Sequence, residues 1–288
     1  MLELAREGQP SQGYSFDLCA HEGFSQSELF NACGLLTLLD AAVDGYACTV
    51  FAYGATGSGK VWPSPALRHV LLSSLAPSLA PNLAPIALVK TYSMSGFEQA
   101  QGKKSSRQPS EPEIHENDGL VPRSVHHIFD RIREASTAAD VKFTVRASYA
   151  EVYNEQVVFD LLNFQKNTPL AVRYNVKRGF FVQGLFEVEI NELVDILAVI
   201  EEGNSNRRVA GHLMNQDSSR SHSLLSIYLH SQQTDSEDGH VISKYGKVIF
   251  VDLAGSERLK RTQAQNEKET GSINKSLMTL GKVSETEE

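Results

Sequence analysis

Thr49–Lys60 reads TVFAYGATGSGK, and this stretch decides the architecture of the chain. Val50, Phe51 and Tyr53 form a short run of β formers, and Gly54-Ala55-Thr56-Gly57-Ser58-Gly59-Lys60 follows directly. A strand feeding a glycine-rich loop at this spacing predicts a phosphate-binding loop. Successive backbone N–H groups can curl around phosphate oxygens there, because glycine lets the chain approach closely. Lys60 would reach the β- and γ-phosphates, and the dipole of a following helix would add attraction for the anion. The pattern then calls for Ser or Thr, whose hydroxyl holds Mg²⁺. Here the next residue is Val61, which has no oxygen to offer.

The whole chain sets the bounds. Its 288 residues allow one large domain or two small ones, and 41% hydrophobic content is ordinary for a globular core. No run approaches the ~20 apolar residues of a membrane span, and no signal-peptide pattern opens the chain. Cys19, Cys33 and Cys48 share no metal-ligand spacing and form no disulfide framework, which suits a reducing compartment. A formal net charge of −8 argues against nucleic acid as partner, although local basic patches can overrule it.

Residues 1–13 read as a poorly ordered start, and Tyr14–Asp17 as a strand. Ser25-Gln-Ser-Glu28 is a capping-box pattern, which predicts a helix N-terminus. Behind it, Leu29, Phe30, Cys33, Leu36, Leu39 and Val43 recur at helical spacing and predict one core-facing helix that Gly45 ends. Strand, helix, strand, phosphate loop and helix in this order predict an α/β domain with a parallel component.

Residues 61–90 differ from their surroundings, with the chain's single Trp (Trp62), five prolines and repeated Leu-Ala-Pro steps. Pro63 and Pro65 fall where a helix should propagate, and an interior proline costs ~3 kcal/mol there. Residues 99–117 read as a polar surface loop. Gly119–Glu134 predicts an amphipathic helix with Pro122 near its first turn; His126 and His127 point to different sides of it as solvated or capping side chains. Lys142–Tyr153 alternates as a strand. Leu170–Glu189 alternates around a turn at Lys177–Gly179, and Asn191–Gly203 reads as a helix.

Two polar blocks complete the pattern. Asn215–His222 reads NQDSSRSH before an alternating strand, Ser223–His230. Lys247–Glu257 reads KVIFVDLAGSE, an apolar strand that ends in Asp252 and is followed by Gly255. Such a strand end can place a carboxylate near Mg²⁺ and a backbone N–H near a γ-phosphate.

GATGSGK, NQDSSRSH and VDLAGSE, in this order, resemble the phosphate loop, switch I and switch II of a kinesin motor domain. YSFD, SQSELF, GYACTVFAYG, GLVPRSVHHIF, SYAEVYNE and INKSLMTLGKV at 273–283 are similar to kinesin text as well. The resemblance implies a three-layer P-loop NTPase fold, an incomplete one here, with a central mixed, largely parallel sheet and helices on both faces. It implies a domain over 14–283, a tail at 284–288 outside the family pattern, and ATP and Mg²⁺ as cofactors. By that resemblance Gly54, Ala55, Thr56, Gly57, Ser58, Gly59 and Lys60 cradle the phosphates, and Tyr92 lies near the base. Thr91, Ser219 and Asp252 hold the metal. Ser218 positions the attacking water, Gly255 senses the γ-phosphate, and Arg220 pairs with Glu257 to close the switches. Asn274 couples the change to the track.

The implied partner is the microtubule, whose acidic tubulin surface would meet Arg258, Lys260, Arg261, Lys268, Lys275 and Lys282. The implied location is the cytoplasm and its cytoskeleton. The implied function is a microtubule motor that hydrolyses ATP, here truncated or mis-spliced; a scaffold with a degenerate nucleotide site is the alternative. The chain departs from the family pattern in three places. Residues 1–13 show no Arg-x-Arg-Pro-like segment for stacking adenine, and family-like text stops at Val283, with no dimerisation region. Removing 61–90 joins Lys60 to Thr91 and yields GATGSGKTYSMSG, an intact loop with Thr91 in the metal-ligand position. A valine codon begins with GT, so a whole-codon intron read through would produce this break.

Overall fold

The computed structural model describes residues 2–6, 9–14, 16–20, 23–53, 70–72, 83–86, 90–96, 113–139, 141–153, 157–163, 168–176, 179–213, 221–235 and 239–255. Ser25 starts helix α1 (Gln26–Ala32) with the expected reciprocal cap. Glu28 N–H donates to Ser25 Oγ at 3.1 Å, and Ser25 N–H donates to the Glu28 carboxylate at 2.8 Å. Two of the helix's orphan donors are thereby satisfied.

The apolar stripe expected to form one helix forms two. α1 stops at Cys33-Gly34, and α2 spans Leu35–Val43. Gly34 sits at φ +76°, a left-handed conformation that interrupts the helix and is open to glycine without strain. The stripe still faces the core. Leu29, Phe30, Leu35, Leu39, Ala42 and Val43 are buried, with Leu36 and Cys33 partly buried against them. Gly45, at φ +107°, turns the chain into β4 (Ala47–Ala52) as expected.

The main sheet runs β11-β7-β12-β13-β4-β6, with β8 added alongside β7. Its members are β6 (Leu83–Ile86), β7 (Lys142–Tyr153), β8 (Val157–Asp160), β11 (Val188–Ile190), β12 (Ser221–Thr234) and β13 (Val241–Asp252). The sheet is mixed. β13–β4 and β4–β6 pair parallel, whereas β12 pairs antiparallel with both β7 and β13. The described pairings are therefore more antiparallel than the expected largely parallel sheet, because β7, β12 and β13 meet as neighbours of opposite direction. The 61–90 stretch contributes β5 (Val70–Leu72), paired with β3 (Leu18–Ala20), and β6, whose Pro85 sits on the sheet edge. That is where a residue without an N–H is tolerated.

Helices α3 (Lys90–Ser95), α4 (Leu120–Ala139) and α5 (Leu193–Leu213) complete the described elements. α2 packs on α4, α4 on α5, and each rests on the sheet, so they form one continuous layer. The second helical layer expected on the opposite face is not represented among the described residues. Val50, Val125, Ile128, Leu39, Ile227, Val248 and Phe250 fill the interface between layer and sheet. Burying each such side chain is worth roughly 1.5–3 kcal/mol.

Three local expectations are corrected. The start expected to be poorly ordered, residues 1–13, contains strands: β1 (Leu2–Arg6) pairs antiparallel with β2 (Gln9–Tyr14), and the strand expected at 14–17 is displaced to β2 and β3. α5 does not end at Gly203 but continues to Leu213. Gly203 lies mid-helix because a Cβ there would run into the Tyr149 ring, so it is a packing glycine. His126 is buried rather than solvated, while His127 Nε2 lies 2.8 Å from Asp40 Oδ1 and joins α4 to α2. The alternating block at 170–189 forms the hairpin β9 (Ala171–Asn175) and β10 (Gly179–Gln183), followed by β11.

The base of the 99–117 loop is pinned. A Cβ on Gly119 would lie 2.6 Å from the Ser93 carbonyl oxygen, and Arg123 donates to the carbonyls of Asp118, His115 and Glu116. Residues 113–117 are exposed, as expected of a surface loop; residues 99–112 lie outside the described residues.

Candidate functional site

Strand order and register bring the polar blocks to one end of the sheet. Asp252 pairs with Ala52 at the end of β4 on one side and with Ser223 near the start of β12 on the other. The Leu253 N–H donates to the Ala52 carbonyl at 3.1 Å. The end of β4 at Ala52, the end of β13 at Asp252 and the start of β12 at Ser221 therefore lie at the same end of the sheet. Ligands of α/β sheets gather at the carboxyl ends of the parallel strands, and β4 and β13 are the parallel pair here.

Ser223 also pairs with Glu151 of β7, so Glu151, Ser223 and Asp252 form one row across three adjacent strands. Directly paired residues project to the same face, and Ser221, two positions from Ser223, shares it. All four side chains are buried. Arg207 of α5 lies over the row. Its Nη1 is 3.1 Å from both Asp252 Oδ2 and Ser223 Oγ, and its Nη2 donates to the Ser221 carbonyl at 3.1 Å. Its Nε lies 3.5 Å from Glu151 Oε1, which also accepts a hydrogen bond from the Ser221 hydroxyl.

Burial works against the charge of Arg207. The attraction of Asp252 and Glu151, with Tyr149 adding to it, outweighs burial and holds the guanidinium above its ordinary value. Among the described residues, one guanidinium thus faces two carboxylates. Removing a partner from a buried ion pair of this kind costs about 3–5 kcal/mol. Tyr149, on the same face of β7, donates to Asn204 Oδ1 at 2.8 Å. Burial pushes its phenol up, so it remains a neutral donor that fixes α5 to the strand.

His222 lies between Ser221 and Ser223 and points to the other face of β12. Its Nδ1 accepts the Ala254 N–H at 2.9 Å. This bond ties the strand that follows NQDSSRSH to the loop that carries Gly255.

Of the residues expected in the site, Asp252 and Gly255 are described, and both are buried. Thr91 and Tyr92 lie on α3, which packs against β4 and β13, so the chain returns to the site after the 61–90 stretch. The side chains of Thr91 and Tyr92 lie outside the description. So do Gly54–Lys60, Val61, Ser218, Ser219, Arg220, Glu257, Asn274 and the basic residues Arg258, Lys260, Arg261, Lys268, Lys275 and Lys282. Sequence reasoning missed Arg207, Glu151 and the role of His222. Arg207 lies beyond Gly203, where the helix was expected to end, and only strand register aligns Glu151 with Asp252. All three cysteines are free, and no described helix is long and apolar enough to cross a membrane.

A mixed sheet with a strand-to-glycine-loop junction beside an acidic strand end defines a P-loop NTPase fold. Residues 3–63 and 89–286 match the family model described as the kinesin motor domain, and the chain belongs to that family. It is 35% identical over 277 residues to the mouse kinesin-like protein KIF12, covering 94% of this chain and 37% of that protein. It is 35% identical over 285 residues to KIN-5A of Arabidopsis thaliana, covering 96% of this chain and 23% of that protein. A solved fast kinesin, described for its ATPase mechanism and microtubule interactions, aligns with TM-score 0.70 at 34% identity, over 96% of this chain and 63% of that one. The motor domain of a Kar3-like kinesin from Ashbya gossypii shares the fold, with TM-score 0.65 at 23% identity. The chain thus spans little more than a third, or less, of the length of these curated relatives.

Proposed function

We propose that this chain is the nucleotide-binding part of a microtubule motor, in which ATP hydrolysis changes the affinity for the track. The observation that supports the reading is that the strand ends adjoining the three polar blocks, Ala52, Asp252 and Ser221, lie at one end of the sheet. Gly54–Lys60 would wrap the phosphates with backbone N–H groups, and Lys60 would neutralise their oxygens. Tyr92 would pack near the base. Ser218 would orient the attacking water, the Gly255 N–H would meet the γ-phosphate, and the pair Arg220–Glu257 would close the two loops. Such segments are ordered by a γ-phosphate and released when it leaves.

The donor set suits Mg²⁺. Asp252 is a carboxylate at a strand end, and Thr91 and Ser219 offer hydroxyls, all hard oxygen donors. When bound, the metal would neutralise charge on the β- and γ-phosphate oxygens. Arg258, Lys260, Arg261, Lys268, Lys275 and Lys282 would supply the basic surface that meets acidic tubulin, with Asn274 as the link to the nucleotide site. The acidic overall balance argues against nucleic acid as partner. A cytoplasmic, cytoskeletal location follows from the partner.

Val61 favours a second reading, in which the chain binds microtubules as a scaffold with a weak nucleotide site. The family match leaves residues 64–88 unmatched, inside the 61–90 stretch, which supports an insertion that separates Lys60 from Thr91. An mRNA that lacks the segment would identify it as retained intron. Co-sedimentation with microtubules in ATP and in ADP separates the readings: a motor's affinity differs between the two nucleotides, and a scaffold's does not.

A further inference from the structure

We propose that Arg123 is a positioning residue for helix α3, the helix that carries Thr91 and Tyr92. It acts through the turn that precedes α4, and its consequence for metal and nucleotide rests on the function proposed above.

In a phosphate loop of ordinary sequence the lysine and the metal-binding hydroxyl are consecutive, so the loop itself places the hydroxyl. Here residues 61–90 stand between Lys60 and Thr91. The placement of α3 comes instead from what α3 touches. It packs on β4, β13 and α4, with Ser93 and Met94 buried. Its downstream end meets the turn before α4 backbone to backbone. Gly96 sits at φ +100°, and a Cβ there would lie 2.6 Å from the Asn117 carbonyl oxygen and 3.1 Å from the Gly119 nitrogen. A Cβ on Gly119 would lie 2.6 Å from the Ser93 carbonyl oxygen and 2.7 Å from the Gly96 nitrogen. Neither glycine leaves room for one more carbon, so a shift of the turn is passed to the end of α3.

Arg123 sets the shape of that turn. Its Nε donates to the Asp118 carbonyl at 2.8 Å, and its Nη2 donates to the carbonyls of His115 and Glu116, each at 3.0 Å. Asn117, whose carbonyl meets Gly96, thus lies between two residues held by one guanidinium. Asp118 closes the turn as well: its carboxylate accepts the His115 N–H at 2.9 Å, and its own N–H donates to the His115 carbonyl at 3.1 Å. Arg123 is buried, and burial pulls its guanidinium below the usual arginine value, with Asp118 working the other way. The planar fork reaches its three carbonyls in a fixed arrangement, which a flexible lysine ammonium does not reproduce. A role confined to the turn would stop at Gly119. The glycine contact carries it one step further, to a helix that rests on β13, the strand that ends in Asp252.

The test uses the whole chain with Arg123→Gln and the milder Arg123→Lys, read first by amide hydrogen exchange without nucleotide. Both are expected to raise exchange at His115–Gly119 and at Met94–Gly96, about tenfold for Arg123→Gln and less for Arg123→Lys, with β12, β13 and α5 unchanged. Gly96→Ala, which leaves Arg123 in place, is expected to loosen the same α3 amides. Acceleration at His115–Gly119 alone, or evenly through the sheet, overturns the proposal.

The second readout is calorimetric titration of ATP with and without Mg²⁺, which gives the gain in affinity that the metal supplies. Arg123→Lys is expected to lower that gain about fivefold, and to lower it no further in a chain that already carries Thr91→Val. A merely structural residue would act equally in both backgrounds, and additive losses overturn the link to Thr91. If the unaltered chain shows no such gain while exchange rises at both segments, the positioning of α3 stands and the nucleotide reading fails.

Discussion

His222 Nδ1 accepts the Ala254 N–H at 2.9 Å, so a ring at the start of β12 holds the backbone just past the end of β13. Asp252 and Ser223 are already paired in the sheet, and this bond extends the pairing into the loop that carries Gly255. Ala254 is buried, so its N–H has little access to water when the acceptor is lost. His222→Ala is expected to cost about 1–3 kcal/mol, the penalty for an unsatisfied buried donor. Urea unfolding measures it, with exchange at Ala254 as the local check. An unchanged Ala254 exchange rate would remove this bond from the account.

Gly203 tests how α5 is seated. A side-chain carbon there would overlap the Tyr149 ring, which is itself fixed by its hydrogen bond to Asn204. Gly203→Ala gains helix propensity, yet it is expected to destabilise by about 1–3 kcal/mol through overpacking. Tyr149→Leu should relieve much of that cost in the double variant, and a double-mutant cycle reads the coupling. Additive effects would show that the ring and the helix do not press on each other.

The thiols give a pH prediction with a definite sign. Burial pushes Cys48 up from the usual 9.0, and its Sγ–H donates to the Leu38 carbonyl at 3.1 Å. Burial also pushes Cys33 up, against backbone hydrogen bonds that pull it down. A group that holds its proton more tightly when folded gives stability that is full below the unfolded pKa and is lost as pH rises through the folded one. The fall in urea midpoint above about pH 9 should therefore be shallower in Cys33→Ala/Cys48→Ala than in the unaltered chain. Parallel slopes would contradict it.

The capping box at Ser25 was legible because it is local: Ser and Glu three residues apart suffice. β7, β9, β10 and β12 were legible for the same reason, since alternation is written into each one. The break at Gly34 was not, because a glycine inside a helical stripe reads equally as interior or as stop. The extension of α5 through Gly203 depended on Tyr149, some fifty positions earlier. The site divides along the same line. Asp252 at a strand end is a local pattern, whereas Arg207 and Glu151 become a cluster only when β7, β12 and β13 pair in one particular register.

The central claim is that Gly54–Lys60 is a working phosphate loop separated from its metal-binding hydroxyl by residues 61–90. Its most direct test is calorimetric titration of Mg·ATP into the chain as it stands and into the chain without 61–90, where Thr91 follows Lys60. Excision is expected to tighten binding by about 100-fold or more, and Thr91→Val in the shortened chain to abolish the gain. Equal affinity of the two chains, with the shortened one folded, would contradict the account.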